Sequence, residues 1–114
     1  EQVKVAMRMS PDSLPMLFVL GANYRAAGMF DAATEALVEH RARLGGKVLP
    51  GPTTQLIAAY VQAGHLESAR EEAGRLMAVA PKLTLASAAR LHSYQSEAQN
   101  VAFLGALRQA GVPE

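Results

Sequence analysis

The sequence contains no cysteine and no tryptophan, and aromatic residues make up only 5% of it. Without cysteine the chain can form no disulfide framework and no zinc ribbon, and it has no thiol nucleophile. Its eleven basic and ten acidic residues leave a formal charge of +1, and the basic residues are not clustered. Because nucleic-acid binding requires a concentrated positive surface, the sequence disfavours it, and we predict no nucleic-acid partner.

Long apolar runs are also missing. The longest strongly apolar stretch, residues 16–20, is far shorter than a membrane-spanning helix. No secretory signal opens the chain. We therefore predict a cytoplasmic protein that does not insert into a membrane.

Residue patterns that carry chemistry are missing too. His40, His65 and His92 lie in distant segments, and no two of them have the i,i+3 or i,i+4 spacing of helical metal ligands. No serine lies in a nucleophile elbow or a Ser-x-x-Lys motif, and residues 45–47, Gly-Gly-Lys, lack the full spacing of a phosphate-binding loop. The sequence thus predicts no catalytic, cofactor-binding or metal-binding residue, and we expect no enzyme activity.

Apolar residues do form 50% of the chain. Alanine and leucine carry most of this content, which favours helices, and no segment alternates with the period of a strand. Gly28, Gly64 and Gly111 each follow an apolar-periodic segment, at the position where a residue with positive φ ends a helix. The predicted start signals are Ser13, Asp31, Thr84 and Ser96. The sequence therefore predicts an all-α fold, with helices at about 14–27, 30–44, 52–63, 66–80, 84–92 and 96–110.

Two stretches, residues 20–37 and 56–73, are similar to each other at an offset of 36 residues. The aligned pairs are Leu20 and Leu56, Tyr24 and Tyr60, Gly28 and Gly64, Phe30 and Leu66, and Ala33 and Ala69. A fixed period in this range is typical of stacked helical hairpins. In such a hairpin the tyrosine fills the space between the helices, the glycine turns the chain, and the alanine lets the second helix approach. We therefore expect both tyrosines to be mostly buried.

The two segments resemble tetratricopeptide repeats, whose consensus sets Leu-Gly, Tyr, Gly, Ala and a closing Pro. The matching residues are Leu20, Gly21, Tyr24, Gly28 and Ala33 in the first repeat, and Leu56, Tyr60, Gly64, Ala69 and Pro81 in the second. The usual Trp is replaced by Leu17 and Thr53, and Ile57 stands where a small residue is usual. A longer connection after the first repeat adds two residues to the 34 typical of the family.

This resemblance implies a right-handed solenoid of antiparallel helical hairpins with a C-terminal capping helix. Residues 1–114 would form a single domain, part of a longer protein, in which 1–11 end a preceding repeat. Residues 14–44 and 52–81 would be the two repeats, and 84–114 the cap. We expect Phe103, Leu104, Leu107 and Ala110 to form the apolar stripe of the cap. The surface around Leu17 and Leu20 would be left to contact upstream repeats or another copy.

The last eight residues, 107–114, resemble the closing segment of bacterial class III adenylate/guanylate cyclase-like proteins that carry tetratricopeptide arrays. That resemblance implies a signalling protein as the parent chain, although no cyclase catalytic region lies within these 114 residues.

The first helix of each tetratricopeptide hairpin lines a concave face, which is the predicted binding surface. The residues at the matching positions are Phe18, Ala22, Arg25, Thr54, Ala58, Val61, Gln62 and His92. An equally supported alternative is that the final helix or another copy covers this face. We expect a non-catalytic protein–protein interaction or regulatory module, whose partner is a protein, a peptide or an upstream domain of the same chain. The alternative function is structural self-association into a homodimer.

Acidic residues are concentrated on the second helix of each hairpin, at Glu35, Glu39, Glu67, Glu71 and Glu72. We expect them to form a solvated outer face. On that face Glu71 would pair with Arg75 at i,i+4, and Glu67 with Arg70 at i,i+3.

Overall fold

In a computed structural model, which describes residues 14–91 and 97–114, this part of the chain is entirely helical outside its turns and termini. The helices are α1 Leu14–Ala26, α2 Phe30–Arg43, α3 Pro50–Gln62, α4 Leu66–Val79, α5 Leu85–Leu91 and α6 Glu97–Ala110. The predicted all-α class is confirmed, and each predicted helix lies within two residues of the observed one at both ends. Predictions for residues 1–13, for His92 and for Ser96 fall outside the described residues.

Glycine ends three of these helices, as predicted. The φ angles of Gly28, Gly64 and Gly111 are 81°, 89° and 104°. At the first of these, the Gly28 N–H donates to the Arg25 carbonyl at 3.0 Å and the next N–H donates to the Tyr24 carbonyl at 2.8 Å. This pair of hydrogen bonds defines a Schellman ending, which satisfies carbonyls that a helix leaves unpaired.

Helix starts follow the sequence less closely. Thr84 and Ser87 form a reciprocal cap at the start of α5, because the Ser87 N–H donates to Thr84 Oγ1 at 3.2 Å and the Thr84 N–H to Ser87 Oγ at 3.3 Å. Asp31 marks the start of α2, as predicted, but it is not the N-cap residue. Met29 occupies the N-cap of α2 and makes no side-chain cap hydrogen bond. Asp31 lies in the first turn, where its negative charge interacts favourably with the helix dipole.

The helices pack as two hairpins followed by a C-terminal pair. The first hairpin, α1–α2, packs on the second hairpin, α3–α4, through contacts of both α1 and α2 with α3. Helix α6 lies against α3, α4 and α5. Its buried side chains Phe103, Ala106, Leu107 and Ala110 join a core that includes Ile57, Ala58, Ala73, Leu76 and Leu85. The Leu85 N–H donates to the Pro113 carbonyl at 2.8 Å, which fixes the C-terminal segment to α5.

The 36-residue offset recurs in three dimensions. Gly64 N–H donates to the Val61 carbonyl at 3.1 Å and the His65 N–H to the Tyr60 carbonyl at 2.8 Å, which repeats the ending of α1 in α3. The N-cap residues that follow are also alike, with φ −92° and ψ 71° at Met29 and φ −105° and ψ 66° at His65. Sequence similarity between the two segments therefore reflects similar local geometry.

The two repeat tyrosines are shielded from most of the solvent, as predicted, although neither is completely buried. Tyr24 and Tyr60 are both half-buried. The Tyr60 ring packs against the core and meets the His65 ring edge-on, with 6.4 Å between centroids. Burial, followed by the negative charge of Glu72, raises the pKa of Tyr60 above its ordinary value.

Candidate functional site

A groove of about 250 Å³ lies where the last residues of α1 and α3 meet the first two turns of α6. Its lining residues are Arg25, Ala26, Gly28, Phe30, Gln62, Ala98, Gln99 and Ala102. The Schellman turn at Gly28 ends α1 at this point and places Phe30 of α2 on the groove wall. The groove therefore depends on both hairpins and on the C-terminal helix.

Arg25 joins the three helices that meet at the groove. Its side chain is 6% exposed, and its Nε donates to Gln55 Oε1 at 2.8 Å. Its Nη1 donates to Gln62 Oε1 at 3.2 Å, and the guanidinium carbon lies 5.3 Å from the centroid of the Phe103 ring. Because arginine only donates hydrogen bonds, these contacts turn the carbonyl oxygen of the Gln62 amide toward Arg25 and leave its NH₂ group on the other side.

The groove walls are apolar and built from small residues. Ala26 and Gly28 are exposed on one side, Ala98 and Ala102 are exposed on the other, and Phe30 is half-buried. Two large apolar residues next to the walls in sequence are also exposed, namely Met29 at 53% and Val101 at 61%. Small side chains leave room for a ligand group, and single exposed apolar side chains such as these two are common on protein surfaces.

Few polar side chains line the groove among the residues that the structure describes. Among the described residues that line it there is no carboxylate, imidazole, hydroxyl or thiol side chain. Its polar side chains are the guanidinium of Arg25 and the amides of Gln62 and Gln99. Such a site can hold an apolar side chain and hydrogen-bond a polar group beside it.

The structure divides the predicted concave-face residues into three groups. Arg25 and Gln62 line the groove. Thr54 and Ala58 are 0% exposed, and Val61 is partly buried against the core that α6 completes. Phe18 and Ala22 are half-buried, and the Phe18 ring lies 5.9 Å from the ring of His40. His92 lies outside the described residues. Helix α6 thus covers the middle of α3 and leaves the groove at its end.

The sequence prediction missed the contribution of α6 to the groove. Ala98 and Ala102 are four residues apart and lie on the helix face opposite to the buried Phe103 and Leu107. Two exposed small residues at that spacing were the available signal, but alanine at exposed helix positions is common because of its helix propensity.

A buried charged cluster connects the two hairpins. Glu72 is 5% exposed, so the prediction that it lies on a solvated face is wrong. Its Oε2 accepts from Arg75 Nη1 at 2.5 Å, and its Oε1 lies 2.6 Å from Arg41 Nη2, an ion pair without hydrogen-bond geometry. Arg41 Nη2 also donates to Thr53 Oγ1 at 3.2 Å. Arg75 therefore pairs with Glu72 rather than with the predicted Glu71.

The two described histidines have different surroundings. His40 is 6% exposed, and its Nδ1 is buried without a hydrogen-bond partner, so that burial lowers the pKa of the imidazole. His65 is exposed, with its Nε2 3.8 Å from Asp31 Oδ1. No group of three or more potential metal ligands is found among residues 14–91 and 97–114.

Within the same described ranges, no helix combines the length and the apolar character that crossing a membrane requires.

Comparison with models of protein families found no match, and neither did comparisons with curated proteins and with solved structures. The resemblance to tetratricopeptide repeats therefore stays a prediction, and the functional argument depends on the geometry of this chain.

Proposed function

We propose that the chain is a non-catalytic protein–protein interaction module, in which the groove between α1, α3 and α6 binds a peptide segment of a partner protein. The observation that carries this proposal is the groove itself, which places the amides of Gln62 and Gln99 beside exposed apolar walls. A peptide offers both kinds of group that such a surface can bind, namely apolar side chains and hydrogen-bonding main-chain groups.

The fold that we propose for this module is a tetratricopeptide-like right-handed solenoid with α5 and α6 as its C-terminal cap. Three observations support it. The two hairpins repeat the same helix endings, Ala33 and Ala69 are both 0% exposed, and α6 buries an apolar stripe against the second hairpin.

The groove can be tested by filling it. Ala102 is exposed on the groove wall, so Ala102→Phe should fill the groove without disturbing the buried face of α6. Peptides selected from a displayed library on the unmodified chain would be titrated by calorimetry against this variant. The matched control is Ala78→Phe, which makes the same change at an exposed position of α4.

The Phe side chain of Ala102→Phe would occupy the groove, so we expect this variant to bind at least about tenfold more weakly, a loss of about 1.4 kcal/mol. Ala78→Phe, away from the groove, should leave the affinity unchanged. Selected peptides that bind Ala102→Phe as tightly as the unmodified chain would show that the groove is not the site.

We further propose that this module acts in the cytoplasm as a regulatory part of a bacterial signalling protein of the cyclase-like kind. The support is the sequence resemblance of residues 107–114. In this chain the same residues also have structural contacts, since Val112 is 3% exposed and Arg108 Nε donates to Glu114 Oε2 at 2.7 Å. Reading the open reading frame that encodes the chain tests this proposal, because a cyclase domain is either encoded in it or not.

A second candidate function, self-association into a homodimer, is favoured by the outer face of the first hairpin. Val19 is 37% exposed, whereas Gln55, 36 residues later, is 2% exposed because it contacts the first hairpin through Arg25. Val38 is 47% exposed on α2, whereas the predicted contact residue Leu17 is 8% exposed and therefore already buried. Sedimentation equilibrium over a range of concentrations tests this function, with Val19→Lys expected to abolish any dimer.

A further inference from the structure

We propose that His40 makes the packing of the first helical hairpin sensitive to pH, so that protonation of its imidazole loosens α2 from α1. The inference does not depend on the groove being the binding site.

The position of His40 is that of an apolar core residue. It lies near the end of α2, a helix that packs on both α1 and α3. The residue 36 positions later is Leu76, which is 0% exposed in the core of the second hairpin. His40 is likewise 6% exposed, with its ring beside that of Phe18 and its Nδ1 without a hydrogen-bond partner. An imidazole in such a place is accommodated as a neutral group.

Among the described residues, neither α1 nor α3, the helices that flank α2, carries a carboxylate that could stabilise a protonated ring. On α1 the ionisable side chains are Tyr24 and Arg25, and on α3 there is only Tyr60. From α4, Glu72 reaches α2, but it is held by Arg41 and Arg75.

The remaining carboxylates near His40 in sequence are on its own helix. They are Asp31, Glu35 and Glu39, all of them exposed, and Glu39 accepts from Arg43 Nε at 2.7 Å. A proton on His40 would therefore add a buried positive charge next in sequence to Arg41, with no opposite charge provided by α1 or α3.

The direction of the pH effect follows from linkage. In the unfolded chain the imidazole titrates near its ordinary pKa of about 6.5, whereas burial lowers the pKa of His40 in the folded chain. The unfolded or undocked chain thus binds the proton more readily, so stability is complete above about pH 6.5 and falls as the pH decreases below it. Because the His40 ring packs beside Phe18 of the other helix of the same hairpin, we expect the loss to begin in the first hairpin.

Hydrogen exchange at pH 7.5 and pH 5.5, corrected for intrinsic exchange rates, tests this. In the unmodified chain the opening equilibrium constant for amides of α1 and α2 should rise by up to about tenfold per pH unit below 6.5, the limit for uptake of one proton. Amides in α4 and α6 should change less. In His40→Leu, which introduces the residue found at position 76, protection of α1 and α2 should be the same at both pH values.

His65→Gln is the matched control, since it removes an exposed histidine, and it should behave like the unmodified chain. His40→Gln keeps a neutral polar side chain at all pH values and replaces His40→Leu if that variant does not fold. The proposal is overturned if His40→Leu or His40→Gln keeps the pH-dependent loss. It is also overturned if the unmodified chain shows no such loss, or if the loss is equal in all helices.

Discussion

Close contact between the two helices of the first hairpin depends on a single small residue. A Cβ atom added to Gly21 would lie 2.5 Å from Cγ of Leu37. The positions 36 residues later hold Ile57 and Ala73, both buried, so the large residue is on the first helix of the second hairpin and the small one on its second helix. This exchange of sizes gives a physical reason why Ile57 departs from the tetratricopeptide consensus.

We expect Gly21→Ala to destabilise the chain although alanine is the better helix former. Overpacking against Leu37 costs about 1–3 kcal/mol, and the higher helix propensity of alanine offsets up to about 1 kcal/mol of that. Gly74→Ala is the control, because Gly74 is also helical but a Cβ atom added to it would meet no other atom within 4 Å. The Gly74→Ala variant should be more stable than the unmodified chain by about 0.5–1 kcal/mol.

Urea unfolding of both variants measures these effects. In the double variant with Leu37→Ala, the added methyl group of Gly21→Ala should lose its unfavourable effect, because the side chain that it meets has been removed. If Gly21→Ala is as stable as Gly74→Ala, α1 and α2 do not approach each other closely at Gly21.

The ring of Tyr60 is expected to contribute to the stability of the second hairpin. Fully buried aromatic side chains lose about 3–5 kcal/mol on truncation to alanine. The Tyr60 ring is half-buried, so we expect Tyr60→Ala to lower the free energy of unfolding by about 2 kcal/mol. Tyr60→Phe is the control, and it should retain most of the stability at pH 7. Equal stability of Tyr60→Ala and the unmodified chain in urea would show that the ring fills no space between the helices.

At the scale of helices, Glu72 links α4 to α2 through Arg41 and to its own helix through Arg75. The side chain of Glu72 is 6% exposed, but those of Arg41 and Arg75 are 18% and 55% exposed. Removing one member of a fully buried ion pair costs about 3–5 kcal/mol. Because water reaches both arginines here, we expect Glu72→Gln to cost about 2 kcal/mol.

Glu39→Gln is the matched control for this prediction. It also removes the acid of an arginine pair, but that pair is exposed at 39% and 49%, and its loss should cost at most about 0.5 kcal/mol. Urea unfolding in low and high salt compares the two variants. A Glu72→Gln variant that is no less stable than Glu39→Gln would mean that the cluster does not hold the hairpins together.

The helices themselves were predictable because their ends are determined locally. A glycine after an apolar-periodic segment specifies a Schellman ending almost by itself, which is why Gly28, Gly64 and Gly111 were identified correctly. The burial of Glu72 was not predictable from the sequence, because Arg41, with which it forms an ion pair, lies on another helix 31 positions earlier. Charge spacing along one helix detects only partners on that helix.

At the scale of the whole molecule, the sequence left open whether the concave face is covered by the final helix or accessible to a ligand. A cap and a covered face were both compatible with the apolar stripe of residues 96–110, since the stripe indicates which side is buried but not against what. The structure places α6 against both α3 and α4, so that Ala58 lies in one core with Phe103 and Leu107 and the groove lies at the end of α3. Of the predicted concave-face residues, Arg25 and Gln62 line this candidate groove.

The last prediction concerns α6, which contributes Phe103 to both the core and the contact with Arg25. Phe103 is 0% exposed, so Phe103→Ala should cost about 3–5 kcal/mol. Val101→Ala, at the exposed side of the same helix, is the control and should cost at most about 0.5 kcal/mol.

Deleting residues 96–114 should cost more than Phe103→Ala, because several core side chains leave together and Ile57 and Leu76 become accessible. Urea unfolding and sedimentation measure both effects. A truncated chain that is soluble, monomeric and equally stable would show that α6 is an appendage rather than a cap.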